Sequence, residues 1–334
     1  MQGATIRAHS FTSGRFLIFP ELEKETHTLV VVAGPTAVGK TAVAVQLAEV
    51  FSTEIISADA RQFYREMTIG TAKPSANELN RVPHHFINTL SIHDDYDAAQ
   101  FGLDALALIS ELFKKHSIVI LCGGSGLYMK AVIEGFDDIP EVPENITLQV
   151  RQGYEDQGLL WLQQQYAELE AAHYNTIDHQ NPHRLMRALA VRLATGMPIS
   201  SFQNQKKTAH PFSILKVGLE LPRETLYARI DQRMDDMLNN GLFDEAQALY
   251  PFKQRQALQT VGYQEIFDFI DGLYDKDEAV RLLKRNSRRY AKRQLTWFKR
   301  DKGFHWYSPA DLMQIIALIR DHQYQTEQEK DKHE

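Results

Sequence analysis

The sequence contains a single cysteine, Cys122, among its 334 residues, and it has no long apolar run. One cysteine excludes an intrachain disulfide and any zinc site built on several cysteines. No segment approaches the roughly 20 apolar residues of a membrane-spanning helix. The apolar run at 16–19 is short, stops at Pro20 and lacks the cleavage site of a signal peptide. We therefore expect a soluble protein of the reducing cytoplasm, with no membrane association and a monomeric state.

Basic residues are also in the minority, since the net charge is −6, and composition gives no global sign of nucleic-acid binding. The segment 284–300 is an exception, because it carries eight basic and no acidic side chains. Exposed helix faces usually mix charges of both signs. We therefore predict a phosphate-binding face here, with Tyr290 and Trp297 in the core. A spacing of four places the basic residues in two adjoining columns, Lys284, Arg288 and Lys292, and Arg285, Arg289 and Arg293.

The most specific motif is Gly-x-x-x-x-Gly-Lys-Thr at 34–41, which follows an apolar strand and precedes an apolar helix. This is the P-loop pattern in its usual context. Its glycines let backbone N–H groups point inward, and the helix start adds the positive end of its dipole. Such a loop binds two linked phosphates, whatever these are attached to. Lys40 supplies a cation, and Thr41 supplies a hydroxyl ligand for Mg²⁺. The predicted diphosphate-binding residues are Gly34, Pro35, Thr36, Ala37, Val38, Gly39, Lys40 and Thr41.

Apolar strands at 28–33, 54–58 and 117–122 alternate with helical segments. Continuous apolar strands separated by helices indicate a parallel α/β sheet covered on both faces. Ligands bind at the carboxyl ends of such strands. Because Gly34, Asp59 and Gly123 each follow a strand, we expect them to meet at one crevice.

The composition changes near 139–143, and from there to about 205 the chain is rich in Gln, Glu, Leu and Ala. We predict helices at 155–172 and 183–193 and a helical insertion over 138–205. The α/β core would then comprise 28–137 and 206–324, ending in a helical C-terminal part. Residues 1–27 would form an N-terminal extension, and 325–334 a charged, frayed tail.

Asp59 is the leading candidate for chemistry beside the P-loop. A carboxylate at this strand end suits a general base or a Mg²⁺ ligand, and it equally suits a helix cap or a solvated loop acid. The strand at 117–122 ends without the Mg²⁺-binding Asp of nucleotide hydrolases. The Gly-Gly-Ser-Gly stretch at 123–126 suits either close approach to a ligand or tight packing. Ser125 is placed there to donate a hydrogen bond to a substrate, or to serve as an ordinary turn residue.

Several further motifs follow the P-loop in order: 57–64, 70–74, Pro83-His84-His85, 123–128, 181–189, 261–263 and 288–298. Together they resemble the tRNA dimethylallyltransferases, also called isopentenyl-tRNA transferases, over about residues 28–308. The number and order of these motifs make the resemblance far more specific than the P-loop alone. The family fold is an α/β core like that of nucleotide kinases, with an inserted helical domain that grips the tRNA anticodon arm.

The resemblance implies that the P-loop holds dimethylallyl diphosphate together with Mg²⁺. The prenyl group would pass to N6 of the adenine 3′ of the anticodon, a base flipped into a channel. Asp59 matches the family's general base, and Ser125 lies near the substrate, so these two are the predicted catalytic residues. The residues that match tRNA-contacting segments are Asp59, Ala60, Arg61, Gln62, Gly126, His183, Arg184, Leu185, Met186, Arg187, Val261, Gly262, Tyr263, Arg288, Arg293 and Arg300.

Three positions depart from the family pattern: Ala60 stands for the usual Ser, Ser125 for Thr, and His183 for Gln. None of them lies in the diphosphate loop. The main rival interpretation is an ATP-dependent small-molecule kinase of the P-loop class, which the missing strand-end Asp and the basic segment disfavour. A second rival is a P-loop RNA-binding protein without catalysis, which Asp59 disfavours.

Overall fold

The computed structural model describes residues 26–137, 139–171, 174, 177–202 and 209–331. These residues form two compact units. One contains the chain up to Ile133 and from His210 onward, and the other is Glu134–Ala209. The unit boundaries therefore lie a few residues outside the range 138–205 that composition suggested for the insertion.

The first unit is built on a six-stranded sheet in which every neighbouring pair is parallel. Its strands are β1 (Thr28–Ala33), β2 (Ile55–Ala58), β3 (His84–His85), β4 (Ile118–Gly123), β5 (Ser213–Leu219) and β6 (Phe304–Tyr307), in the order β3-β2-β4-β1-β5-β6. β1 and β4 are buried at every position because helices cover both faces of the sheet. This is the parallel α/β fold that the sequence predicted.

Alternation along β1 divides the core into two layers. Val30 and Val32 pack in one apolar cluster, and Leu29 and Val31 pack in the other. The helices of this unit are α1 (Lys40–Val50), α2 (Ala76–Arg81), α3 (Ala98–Leu112), α4 (Gly126–Ile133), α7 (Arg223–Asn239), α8 (Leu242–Leu249), α9 (Gln264–Ile270), α10 (Lys276–Phe298) and α11 (Leu312–Asp331).

The second unit consists mainly of α5 (Glu144–Leu169) and α6 (Pro182–Thr195), which pack around Leu162, Tyr166 and Leu185. α5 begins eleven residues before the predicted start at 155, and it is interrupted at Gly158, whose φ is 76°. Since positive φ is open mainly to glycine, this residue marks the break between two helical pieces.

Four elements were missing from the sequence-based prediction: α2, β3, α4 and β6. The predicted frayed tail at 325–334 is also wrong in part, because α11 continues to Asp331. His27, assigned to the N-terminal extension, is 5% exposed, and its Nε2 lies 2.8 Å from the carbonyl of Phe113. The rest of the predicted extension, 1–25, lies outside the described residues. None of the described helices is long and apolar enough to cross a membrane.

Candidate active site

The P-loop connects β1 to α1. Gly39 caps the start of α1 with φ 109°, a left-handed conformation that glycine adopts without steric cost. Lys40 Nζ donates to the carbonyl of Pro35 at 2.8 Å, within the loop itself. Burial lowers the pKa of Lys40 to about 8, and the nearby Cys122 and Asp59 offset only part of this effect. The lysine therefore lies in a place that lacks a full counter-charge.

A cleft of about 530 Å³ opens at the carboxyl ends of the strands. Thr36, Ala37, Gly39, Lys40 and Thr41 line it together with Asp59 and Gly123. The P-loop and the ends of β2 and β4 thus meet at one crevice, as a parallel sheet predicts. Of the remaining P-loop residues, Gly34, Pro35 and Val38 are buried.

Two arginines of α7 add to the cations of this cleft, which include Lys40 and Lys73, and sequence reasoning missed both. Arg229 lines the cleft and donates to the carbonyl of Val38 at 3.3 Å. Arg233 Nη1 lies 3.5 Å from Thr36 Oγ1, and Nη2 donates to the carbonyl of Ala72 at 3.2 Å. Burial lowers the pKa of Arg233, and Asp59 opposes that shift. Their spacing of four on one helix was the available signal.

Two hydrogen bonds with Ser125 hold the turn that carries Asp59, one on each side of this residue. Ser125 N donates to the carbonyl of Ala58 at 3.3 Å, and Ser125 Oγ accepts from the amide of Ala60 at 2.9 Å. Asp59 Oδ1 accepts from the amide of Arg61 at 3.0 Å. Ser125 thus positions the carboxylate, and its contact with a substrate stays a prediction.

Tyr290 of α10 lines the first cleft together with Asp59. Burial, helped by the nearby Asp59, raises the pKa of Tyr290 to about 12, so its hydroxyl keeps its proton at neutral pH. The sequence analysis assigned Tyr290 to the core. The structure shows that it lines the cleft.

The glycines at 123–126 make room for protein side chains. A Cβ on Gly124 would lie 2.4 Å from Gln294 Nε2, and one on Gly126 would lie 2.2 Å from Trp297 Nε1. The structure therefore supports the packing alternative at Gly124 and Gly126, whereas Gly123 lines the first cleft, and the tRNA contact at Gly126 stays a prediction. Trp297 is 37% exposed, so its predicted place in the core was wrong.

Three predicted tRNA-contacting side chains are enclosed within the protein. Gln62 is 9% exposed, and its Nε2 donates to the carbonyls of Thr71 and Ala72. Tyr263 is fully buried, and its hydroxyl donates to Glu245 Oε1 at 2.6 Å. Leu185 belongs to the core of the second unit. These side chains support the fold of the free protein, and their contact with tRNA stays a prediction.

A second, smaller cleft of about 100 Å³ adjoins the first. Asp59, Arg233 and Tyr290 line both clefts. The second cleft adds Arg61 and the stretch 260–262, which includes the predicted tRNA contacts Val261 and Gly262. Asp59 therefore lies where a group bound in the first cleft would meet a group bound in the second cleft.

The basic residues of α10 divide into two sets. Lys284 pairs with Asp235 at 2.6 Å, and Arg288 pairs with Asp231, both on α7. For Arg288 this ion pair competes with the predicted phosphate contact, which stays a prediction. The remaining column faces outward, and Arg293 stacks over Tyr290 at 5.7 Å from the ring centre. The exposed basic residues near this end of the helix are Arg289, Lys292, Arg293, Lys299 and Arg300, of which Lys299 pairs with Glu220 at 2.6 Å.

On α6, side chains of the predicted tRNA-binding stretch alternate between solvent and core. His183, Arg184 and Arg187 are exposed, whereas Leu185 is buried and Met186 packs against the same core. The exposed face of the second unit is therefore basic at this point.

The oxygen atoms of the first cleft suit Mg²⁺. The described residues contain no cluster of three or more His, Cys, Asp or Glu side chains able to hold a metal. Mg²⁺ is commonly held by one or two protein oxygens, substrate phosphates and waters. Thr41 and Asp59 both line the cleft and offer such oxygens.

The parallel sheet and the P-loop define a P-loop α/β protein with two adjoining clefts at the carboxyl ends of its strands. The IPP transferase family model matches residues 62–301, more than half of the chain. The tRNA dimethylallyltransferase of Cytophaga hutchinsonii is 47% identical over 87% of this chain and 96% of its own length. That of Christiangramia forsetii is 48% identical, over 84% and 92%. The chain belongs to the tRNA dimethylallyltransferase family.

Solved structures agree with this assignment. The tRNA isopentenylpyrophosphate transferase of Bacillus halodurans superposes with a TM-score of 0.69 at 35% identity, over 92% of this chain and all of that one. A eukaryotic dimethylallyltransferase described as acting on tRNA has a TM-score of 0.72 at 24% identity, covering 86% of this chain and 75% of its own. At that identity the second likeness supports the shared fold only.

Proposed function

We propose that this protein transfers a dimethylallyl group from dimethylallyl diphosphate to N6 of the adenine 3′ of the anticodon in tRNA, releasing diphosphate. The observation that carries this proposal is the position of Asp59, which lines both the P-loop cleft and the second cleft. A general base where the two clefts meet is within reach of an amine in the second cleft. That amine would attack a carbon held on the P-loop side.

In this reaction the N6–C1 bond forms while the C1–O bond to diphosphate breaks. The electron pair of the broken bond leaves with the diphosphate, and one proton of the amine passes to the Asp59 carboxylate. P-loop amides, Lys40 and Arg233 stabilise the charge that grows on the leaving group. Thr41 would hold Mg²⁺, which neutralises phosphate charge when bound.

The acceptor adenine would reach the second cleft flipped out of the RNA stack, since a stacked adenine does not expose its N6 to a carboxylate inside a cleft. Arg61 and the 260–262 stretch line that cleft. The exposed cations Arg289, Lys292 and Arg293 would contact the phosphates of the anticodon arm. His183, Arg184 and Arg187 would add contacts from the second unit. A monomeric state and a cytoplasmic location stay predictions.

A transfer assay tests the proposal. Purified protein, Mg²⁺ and radiolabelled dimethylallyl diphosphate are mixed with an unmodified anticodon stem-loop that has adenine 3′ of the anticodon. We expect label in that RNA and none in a matched RNA with guanine at the position. Equal labelling of both RNAs, or turnover of ATP without prenyl transfer, would contradict the proposal, and ATP turnover would favour the kinase alternative.

A further inference from the structure

The side chain of Gln294 joins the two halves of the active site. It is 7% exposed and comes from the inward face of α10, one turn after Tyr290. Its Oε1 accepts from the P-loop amide of Thr36 at 2.8 Å, and its Nε2 donates to the carbonyl of Gly124 at 2.9 Å. A carboxamide provides an acceptor and a donor at once, which neither Glu nor Met does.

Each residue that hydrogen-bonds to Gln294 is connected in turn to a group of the proposed active site. Thr36 lines both clefts, and its hydroxyl lies 3.5 Å from Arg233. Gly124 immediately precedes Ser125, which holds the carbonyl of Ala58 and the amide of Ala60 on either side of Asp59. One side chain thus links the loop that holds the leaving group to the turn that carries the base.

We propose that Gln294 is a positioning residue of the transfer reaction, which fixes the spacing between the P-loop and the Asp59 turn. This inference rests on the proposed function. It concerns the alignment of amine, carbon and leaving group, and reaction rates are sensitive to small misplacements of such groups. Loss of the link lowers kcat, whereas the anion site and the tRNA-facing surface keep their own contacts.

The first variant is Gln294→Met, which keeps the volume and removes both hydrogen bonds. We expect kcat to fall by about 10- to 100-fold at saturating concentrations of both substrates. We expect the Kd for inorganic pyrophosphate with Mg²⁺, and that for the anticodon stem-loop, to change less than about threefold. Thr296→Ala is the matched control, because Thr296 is exposed on the same helix and bonds only to the carbonyl of Lys292.

The second variant, Gly124→Ala, disturbs the same link from the other side. Its Cβ would lie 2.4 Å from Gln294 Nε2, the end of a flexible side chain, so the amide must move. We expect a loss of kcat similar to that of Gln294→Met, and a double variant no slower than the slower single one, since both changes break one link.

Three results would overturn the inference: near-normal kcat in Gln294→Met, a loss confined to KM, or fully multiplicative effects in the double variant. A fall in stem-loop affinity that matches the fall in kcat would overturn it as well, because it would show a role in tRNA binding. Melting temperatures of all variants are measured alongside, and Gly124→Ala decides the matter if Gln294→Met does not fold. If the wild-type protein transfers no prenyl group, the proposed function fails and the role of Gln294 in that reaction fails with it, whereas any of the results above with an active wild-type protein overturns the role of Gln294 alone.

Discussion

The P-loop lysine makes diphosphate binding sensitive to pH in a range that is open to experiment. Burial lowers the pKa of Lys40 to about 8 in the free protein. A bound diphosphate favours the ammonium form, so the pKa rises when the anion binds. The contribution of Lys40 to affinity is then complete well below pH 8 and declines as the pH rises through about 8.

The size of the effect follows from the fraction of free protein that carries the proton. A group with a pKa of about 8 is about 90% protonated at pH 7 and about 10% protonated at pH 9. The Kd for diphosphate should therefore increase by about tenfold over this interval, provided that the pKa in the complex lies above 9. Arg233 does not add to the change, because a guanidinium stays protonated throughout.

Calorimetric titration with inorganic pyrophosphate and Mg²⁺ at pH 7, 8 and 9 measures this dependence. Lys40→Arg is the matched control, since it keeps a cation that does not titrate and shares any pH effect that comes from pyrophosphate itself. The ratio of the Kd of the wild-type protein to that of Lys40→Arg isolates the effect of the Lys40 proton. If that ratio stays constant from pH 7 to pH 9, Lys40 does not carry a lowered pKa in the free protein, and the reasoning is refuted.

Two further predictions concern the base and the basic helix. Asp59→Ala should lower the transfer rate by about 10²- to 10⁴-fold while stem-loop affinity changes little, and near-normal single-turnover rates would remove Asp59 from the mechanism. Replacing Arg289 and Arg293 by Gln should weaken stem-loop binding and reduce the slope of log K against log salt by about 0.7 to 0.9 for each phosphate that is no longer neutralised. Arg288→Gln should leave that slope unchanged, because Asp231 already pairs with Arg288; an equal reduction of the slope would show that the ion pair opens on binding.

The sequence predicted the elements whose signal is local. β1, β4 and the P-loop combine a continuous apolar strand with a motif of fixed spacing, and the structure has them in place. β6 was missed because it has only four residues, Phe304–Tyr307, none of them buried, and it follows a helix without periodicity of its own. It becomes a strand by pairing with β5, a contact between residues about ninety positions apart.

Dependence on contacts between distant residues also limits what the sequence predicts about the site. Lys40 and Asp59 could be predicted, because each follows a strand in a recognisable motif. Arg233 and Gln294 could not, since the spacing of Arg229 and Arg233 places them on one face of α7 without saying what that face meets, and nothing near Gln294 in the sequence distinguishes it from other polar residues of α10. Their roles come from tertiary contacts with Thr36, which lies 197 and 258 positions earlier, respectively. The ion pair of Arg288 could not be predicted for the same reason, because its partner Asp231 is on another helix.

The arrangement of charge around the P-loop bears on what its ligand does. Lys40, Arg229 and Arg233 all line the first cleft, and burial lowers the pKa of Lys40 and that of Arg233. A buried cation without a full counter-charge is costly to the fold, so this cleft is built for an anion. In the proposed reaction the diphosphate gains a further negative charge when the C1–O bond breaks, and fixed cations would stabilise that state more than the bound substrate. In that reaction the unsatisfied positive charge of the free protein would favour departure of the diphosphate over its mere retention.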